Sequence, residues 1–366
     1  MINIYQFDFP FDEAIQWWVT VSDGEFTTSS DSFSFTIPEG LQYTGPVWHV
    51  ATDGSDQLGD GSVVMPFATI QHGIDVSSDG DTVLVSTGTY YENITWPAIN
   101  GIKLIGSGEE DCIIDGTQQA VVIRFDQDLG GIIDTTTVIK GFTIQNGSAV
   151  QGGGIHCYLS SPSLKNLTIT NNSANDGGGI YFSNNCVANL VDISITNNSA
   201  SSDGGGIFSS NSSPSLENVT IIGNTANSSG GGILFTSNSS SILNNVTISG
   251  NSASSNNGGG ISFVNSSPSL ESVTITNNTA SGNGGGIRCD ESSPTLTNVT
   301  ISGNSASNDG GGISLYENSS PILENVTITD NTASGGNGGG ITIYESSNPS
   351  LENVIITGNS ASESGG

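Results

Sequence analysis

Basic residues are scarce in this sequence. Among its 366 residues, Lys and Arg together number 5 while Asp and Glu together number 35, which gives a formal net charge of −30 at pH 7. A charge of this sign and size repels nucleic acid phosphates and anionic membrane surfaces. The composition therefore excludes both as partners.

Long apolar runs are absent as well. No run of about 18 apolar residues, the length that a membrane-spanning helix needs, occurs in the chain. The opening MINIYQFDFPFDEAIQWW lacks a basic segment followed by an apolar one, so it does not read as a secretory signal peptide. Because the chain stops in the middle of a repeat, we expect a truncated piece of a longer product, with any signal or anchor outside it.

Repetition dominates what is present. In eight successive segments a leucine is followed ten residues later by an alanine, although the period of the whole repeat varies from 25 to 28 residues. A fixed distance inside a variable period indicates a rigid unit between tolerant corners, which is typical of a solenoid. The leucines are Leu164, Leu190, Leu216, Leu243, Leu270, Leu296, Leu323 and Leu351.

Inside the rigid unit the residues alternate as they do in a strand. The segment Asn298-Val299-Thr300-Ile301-Ser302 places apolar and hydroxyl residues at period two, and no helical period is sustained. A second short strand follows each glycine run, as in Ile180 to Phe182. The pattern predicts an all-β fold, a parallel β-helix of about 10 to 11 coils in which like residues stack about 4.8 Å apart.

Two columns of asparagine recur at the ends of the predicted strands. At a bend, a side-chain amide can support a left-handed backbone or bond its stacked neighbour, so we interpret both columns as structural. The glycosylation sequons that they create are by-products of the ladder. The first column is Asn166, Asp192, Asn218, Asn245, Ser272, Asn298, Asn325 and Asn353, and the second is Asn172, Asn198, Asn224, Asn251, Asn278, Asn304, Asn331 and Asn359.

The four cysteines do not form a disulfide framework. Cys157 and Cys289 share one repeat position but are five coils apart, roughly 24 Å at the coil spacing, which is too far for a bridge. Cys186 occupies another position of its coil, and Cys112 precedes the repeats. We predict four buried free thiols.

Residues 1 to about 40 differ in pattern from the rest. Trp17 to Gly24 and Ser34 to Pro38 predict a strand, a turn and a closing strand. The pair resembles the last hairpin of a fibronectin type III or related immunoglobulin-like module. It has too few strands for a complete sandwich, so residues 1–40 are interpreted as a remnant of such a domain.

A new unit, residues 41–366, carries the β-helix. Pro66 to Val76 predicts a short helix, with Phe67, Ile70 and Ile74 on one face. This opening resembles that of secreted right-handed parallel β-helix proteins of the pectate-lyase-like superfamily, in which a comparable helix caps the solenoid. The resemblance implies a right-handed β-helix, with the cap and irregular coils in residues 47–150 and regular repeats in residues 151–366.

The regular repeats have a second likeness. Thr170 to Ala174, running into the glycines before Ile180, is similar to the repeat of chlamydial polymorphic outer-membrane proteins and related bacterial adhesins. Those proteins usually have alanine at the third glycine and phenylalanine in place of Ile169. The resemblance implies the fold and an extracellular or bacterial cell-surface location.

Enzymatic activity is the first alternative, because the pectate-lyase-like superfamily includes polysaccharide lyases and glycoside hydrolases. A lyase needs a base such as Arg or Lys, and inverting hydrolysis needs two carboxylates about 6.5–9.5 Å apart. We expect Arg288 to form a surface ion pair and the acids to be solubilising turn residues. His156 is an isolated histidine with no other histidine near it in the repeats. Catalytic coils could lie within residues 100–160 or beyond the end of the chain. The catalytic candidates are Asp176, Asp203, Arg288, Asp290 and Glu291.

Two further kinds of site are compatible with the sequence. Asp53, Asp56 and Asp60 could gather around Ca²⁺, which prefers oxygen ligands, although a turn held by its own side chains explains them as well. Outward threonine rows resemble those of ice-binding β-helices, although threonine also suits any solvated strand. The candidates for surface recognition are Thr274, Thr276, Thr300, Thr327, Thr329, Tyr316 and Tyr344.

The uniform columns favour a binding or structural role, because an active site needs a departure from repetition. We therefore predict an adhesin or structural stalk whose partner is an extracellular polysaccharide or another cell-surface ligand. No cofactor other than Ca²⁺ is expected. A polysaccharide lyase or glycoside hydrolase and an ice-binding protein remain the alternatives.

Overall fold

The computed structural model describes residues 14–18, 20–22, 24–36, 43–126 and 133–366. The chain forms two compact units, Met1–Thr44 and Gly45–Gly366.

The described residues of the first unit form four short strands in two antiparallel pairs. Ala14–Trp17 pairs with Phe33–Thr36, and Thr20–Ser22 pairs with Thr27–Ser29. Strands therefore form near both predicted segments, while residues 37–42 lie outside the described residues. The likeness to a fibronectin type III module stays a prediction.

In the second unit, each regular coil visits three parallel sheets in turn. Sheet 2 follows the glycine run, sheet 1 carries the leucine and sheet 3 carries the alanine. Sheet 1 consists of Val47–Val50, Thr82–Val85, Gly88–Tyr91, Lys103–Gly106, Cys112–Asp115, Val138–Gln145, Ser163–Thr170, Asn189–Thr196, Ser215–Ile222, Ile242–Asn244, Thr247–Ser249, Ser269–Glu271, Thr274–Thr276, Thr295–Thr297, Thr300–Ser302, Ile322–Glu324, Thr327–Thr329, Ser350–Glu352 and Ile355–Thr357. Sheet 2 consists of Ile94–Thr95, Ile123–Asp126, Ile155–Tyr158, Ile180–Ser183, Ile207–Ser210, Ile233–Thr236, Ile261–Val264, Ile287–Asp290, Ile313–Tyr316 and Ile341–Ile343. Sheet 3 consists of Ser148–Gln151, Ser173–Asp176, Ser199–Ala200, Thr225–Ala226, Ser252–Ala253, Thr279–Ala280, Ser305–Ala306, Thr332–Ala333 and Ser360–Ala361.

Like residues stack on like residues from coil to coil. Leu164 pairs with Leu190 in sheet 1, and Ala174 pairs with Ala200 in sheet 3. The constant ten-residue step keeps these partners in register, while the corners absorb the changes in period. The predicted parallel β-helix is confirmed, and the ten strands of sheet 2 in the described part of the chain agree with the expected number of coils.

The core is a set of apolar columns that run along the β-helix. Leu270 and Ile275 from sheet 1 and Ile261 and Phe263 from sheet 2 have no exposed surface. Each such side chain contributes about 1.5–3 kcal/mol on burial. The four cysteines are buried free thiols, as predicted.

The two asparagine columns have different roles. Residues of the first column adopt left-handed φ angles, for example 57° at Asn298. From Asn172 to Asn331 the residues of the second column are buried, and each Nδ2 donates to the asparagine Oδ1 of the next coil, as from Asn278 to Asn304 at 3.0 Å. The left-handed bend beside the second column falls on the preceding residue, such as Asn277 with φ 56°. The columns are therefore structural, and the second is an internal hydrogen-bonded ladder.

A buried serine ladder lies at the corner between sheets 2 and 1. The backbone N–H of Ser266 donates to Oγ of Ser292 at 3.0 Å, and Ser292 N–H donates to Oγ of Ser319 at 3.1 Å. Cys186 takes the serine position in its coil, and its N–H donates to Oγ of Ser212. This thiol therefore substitutes for a hydroxyl in the ladder.

Helix α1 (Ile70–Asp75) covers the first coils, as expected of a cap. Ile70 and Ile74 have no exposed surface, and Gly73 lies so close to Val50 and Val83 that a Cβ there would approach both at 3.0 Å. The helix stabilises the coil that it covers by closing the apolar interior.

The helix begins later than the predicted start at Pro66. Phe67 is held in extended backbone, because its N–H donates to the carbonyl of His49 and it bridges to Val50. Thr69 is the N-cap, and its hydroxyl accepts from His72 N–H. The tertiary contact of Phe67 therefore overrides the favourable position of proline in a first helical turn.

Candidate functional site

The outward column of sheet 2 is the part of the repeat that varies. The isoleucine before it faces the core in each coil, whereas the following residue points to the opposite face of the strand. In the described strands this outward column is Thr95, Arg124, His156, Tyr181, Phe208, Leu234, Ser262, Arg288, Ser314 and Thr342. Because stacking fixes the inward residues, specific chemistry can vary here at little cost to the core.

A cleft of about 510 Å³ opens at the start of this column. Arg124 and His156 lie on its floor, and the sheet 3 strand Ser148–Gln151 forms one wall. The segment from Gln119 to Val121 lines the cleft beside this strand, since Ser148 N–H donates to the carbonyl of Ala120 at 3.0 Å. Its size falls in the range typical of ligand sites, about 300–1,000 Å³.

His156 is the unusual residue of this cleft. The residue is 7% exposed, and its buried Nε2 has no hydrogen-bond partner among the described residues. Burial, with the nearby charge of Arg124, lowers the pKa of His156 to about 4, so the imidazole is neutral at pH 7. A buried polar atom without a partner costs about 1–3 kcal/mol.

Arg124 stands beside His156 in the neighbouring coil. Its side chain is 47% exposed, and its Nε and Nη2 both donate to Oδ2 of Asp126, at 3.2 and 2.5 Å. Arg124 and Asp126 are separated by one inward residue, so both lie on the outward face of the same strand. The carboxylate of Asp126 therefore holds the Arg124 guanidinium in one orientation.

A hydrogen bond closes one end of the cleft. Gln151 Nε2 donates to the hydroxyl of Tyr181 at 2.9 Å, which ties the wall strand to the outward column. The Tyr181 ring meets His156 edge-on at 5.3 Å and stacks on Phe208 at 5.0 Å. These contacts hold the imidazole in one orientation. Val150, 69% exposed, forms part of the rim.

The sequence candidates Asp176 and Asp203 lie at the corner after sheet 3. Asp176 Oδ1 accepts from Asp203 N–H at 3.3 Å, and Asp203 Oδ1 accepts from Ser229 N–H at 2.8 Å. Burial and the charge of Asp203 raise the pKa of Asp176. Both acids thus link adjacent coils, whose strands are about 4.8 Å apart, which is less than inverting hydrolysis needs. A catalytic role for them stays a prediction.

Arg288 is buried, in contrast to the expected surface ion pair. Its side chain is 7% exposed, its Nη1 donates to Oγ of Ser314 at 2.9 Å, and its guanidinium lies 4.6 Å from the centre of the Tyr316 ring. Asp290 is 3.6 Å from Nη2. The tyrosine of the next coil covers the arginine, which sequence spacing did not indicate.

Three further candidates follow this arginine along the chain. Glu291 is exposed and has a left-handed φ of 46°. A hydrogen bond to Glu345 and the charge of that carboxylate raise the pKa of Tyr316, while Tyr344 is half-buried in the following coil. Of the three, Tyr316 contacts Arg288, and the roles of all three stay predictions.

The acidic residues of the cap loop serve the loop itself. Asp56 accepts from the N–H of Ala68 and from both N–H and hydroxyl of Thr69. Burial acts to raise the pKa of Asp56, but these hydrogen bonds lower it below its usual value. Asp60 accepts from Ser62 N–H, while Asp53 borders a shallow depression. Within the described residues, no group of three or more His, Cys, Asp or Glu could hold a metal ion. Calcium binding by this loop stays a prediction.

The outward hydroxyl residues of sheet 1 form aligned rows. Thr274, Thr300 and Thr327 pair from coil to coil and form one row. Thr276 and Thr329 belong to the neighbouring row, two residues further along their strands. Thr276 Oγ1 donates to Oγ of Ser249 at 3.1 Å. The rows have the regularity that ice binding needs, and that role stays a prediction.

No helix in the part of the chain that the structure describes is both long and apolar enough to span a membrane.

Comparisons with known proteins agree on the fold. The protein family described as "Right handed beta helix region" matches residues 72–271 and 246–365. A pectate lyase, Pel9A, is similar in structure, with a TM-score of 0.58, 14% sequence identity, and coverage of 88% of this chain and 83% of that one. Pectin methylesterase from carrot has a TM-score of 0.40 and 12% identity, covering 83% and 89% of the respective chains. In sequence, no curated protein matches the chain.

Proposed function

Since this chain belongs to the right-handed β-helix family, we propose that it is an extracellular protein that binds a polysaccharide in the cleft beside His156. The regular coils after residue 180 serve as a stalk that carries this site. Adhesion to a polysaccharide surface is then the biological role.

The cleft beside His156 carries the proposal. His156 lines it with a neutral imidazole whose buried Nε2 has no partner among the described residues, and the other polar groups of the lining are amides, a hydroxyl and a guanidinium. Such groups donate to and accept from sugar hydroxyls. Apolar side chains at Ala120, Val121 and Ala149 complete the lining and suit the C–H faces of sugar rings.

The stalk is supported by the ladders of the regular coils. Asparagine, serine and apolar columns continue through successive coils with their hydrogen bonds made inside the structure. Each coil is stabilised mainly by its two neighbours, as in other solenoids. A body of this kind keeps a binding site at a fixed distance from whatever anchors the other end.

Filling the cleft provides the test of binding. We expect Val150→Trp to weaken polysaccharide binding by about tenfold or more, because the ring would occupy the rim without disturbing the core. Val187→Trp is the matched control, since Val187 is also exposed (53%) but does not line the cleft. Affinity would be measured by calorimetry with the best ligand from a polysaccharide array. Equal affinities for both variants and the native protein would refute the cleft as the binding site.

Cleavage of the polysaccharide is the second candidate function. Its support is that Arg124 and His156 both lie within residues 100–160, where the sequence allows catalytic coils. However, a general base works best with a pKa near the working pH, and the pKa of His156 is about 4. Arg124 is also held by Asp126. These features favour binding without turnover.

An activity assay separates the two functions. We expect plant and algal polysaccharides, incubated with the protein with and without Ca²⁺, to yield no new unsaturated or reducing ends. Ultraviolet absorbance and a reducing-sugar assay would measure both products. Product formation that disappears in Arg124→Ala would establish an enzyme instead.

A further inference from the structure

We infer that the cleft selects uncharged polysaccharides over acidic ones, because Asp126 balances the charge of Arg124 and occupies one of the two guanidinium edges that could bind a uronate carboxylate. This inference rests on the proposed function and adds the class of polysaccharide and a residue that determines specificity.

The geometry of the arginine is the first step. Nε and Nη2 form one edge of the guanidinium, and this edge is suited to bidentate binding of a carboxylate. Both nitrogens already donate to Oδ2 of Asp126. The Asp126 side chain is 12% exposed, so it is shielded from the solvent that would weaken the pair. An incoming uronate must therefore displace Asp126 before it can gain the same contact.

The charge around the cleft is the second step. Arg124 is the only Lys or Arg among the described residues that line it, and its charge is balanced by Asp126. His156 adds no positive charge at pH 7, because burial keeps its imidazole neutral. The chain as a whole carries −30. The charges at the cleft therefore do not attract an anionic polysaccharide, and the net negative charge of the chain repels one.

The neutral polar groups of the lining are the third step. Gln119, Ser148 and Gln151 each have a side-chain group that can donate and accept. Uncharged sugar hydroxyls have the same dual capacity. The described lining is therefore complementary to hydroxyl groups, and its one cation already has its charge balanced by Asp126.

The chain contains a second copy of the arginine pair that serves as a control. Arg288-Cys289-Asp290 occupies the same strand positions as Arg124-Phe125-Asp126, in a later coil of sheet 2. The Arg288 side chain is 7% exposed against 47% for Arg124. The same loss of one negative charge can thus be made beside the exposed arginine and beside the buried one.

The test uses Asp126→Asn and the control Asp290→Asn in the full chain. Binding to a soluble β-glucan, a galactomannan and polygalacturonate would be measured by calorimetry, with EDTA present so that divalent cations cannot bridge acidic groups. We expect the native protein to prefer a neutral polymer. Asp126→Asn removes the charge that balances Arg124 and should raise affinity for polygalacturonate by about tenfold, whereas Asp290→Asn should change it by less than about twofold.

The outcomes separate this inference from the function on which it rests. Native protein that binds polygalacturonate in the cleft more tightly than the neutral polymers would overturn the inference and leave polysaccharide binding intact. Equal behaviour of the two asparagine variants toward polygalacturonate would also overturn it. Absence of binding to every polysaccharide, by the native protein and both variants, would overturn the proposed function itself. Circular dichroism of each variant confirms that the fold is retained.

Discussion

Asn278→Ala is expected to destabilise the β-helix by about 3–5 kcal/mol, because it breaks the internal ladder at a buried position. Asn278 has no exposed surface. Its Nδ2 donates to the carbonyl of Ile248 and to Oδ1 of Asn304, and its Oδ1 accepts from N–H and Nδ2 of Asn251. Alanine would leave these partners buried without their hydrogen bonds, at about 1–3 kcal/mol for each unsatisfied group.

The matched control is Asn298→Ala in the other asparagine column. Asn298 is exposed, and its φ of 57° is left-handed, so alanine there should cost only about 1–2 kcal/mol. The midpoint of urea unfolding and hydrogen exchange of the neighbouring coils would measure both variants. Similar losses for the two would contradict the assignment of separate roles to the columns.

Gly231→Ala is expected to prevent correct stacking of its coil, at a cost of about 4 kcal/mol or more. A Cβ at this position would lie 2.5 Å from the carbonyl oxygens of Gly259 and Ser252. Both are backbone atoms of the next coil, so no side chain can move aside to make room. The expected result is loss of folded protein, or a large fall in its unfolding midpoint.

Gly250→Ala controls for the loss of glycine itself. Gly250 has φ of 64°, and a Cβ there would meet no atom within 4 Å. Its substitution strains the backbone without a collision, so about 1–2 kcal/mol is expected. Thermal unfolding compares the two variants directly. A Gly231 variant as stable as the Gly250 variant would show that the corner can widen to accept a methyl group.

The candidate site was harder to predict than the fold because it lies where the irregular coils meet the regular repeats. Arg124 and His156 are neighbours in sheet 2, yet 32 residues separate them in the chain, more than the regular period of 25 to 28. Their register cannot be counted from the repeat, so the sequence does not identify them as neighbours. The recurrence of Arg-x-Asp at Arg124 and Arg288 was a usable signal that two coils carry the same pair.

The sequence by itself determined the β-helix, its stacking register and the structural role of its columns. Like residues stack on like, so each residue pairs with the equivalent residue one repeat away. The information that sets this pairing is therefore present in every repeat of the sequence. Tertiary structure alone decided which asparagine is buried, where helix α1 begins and which Arg-x-Asp pair opens to solvent. Tyr316 covers Arg288 whereas a cleft exposes Arg124, and that difference depends on neighbouring coils and corners. No pattern within one repeat carries that information.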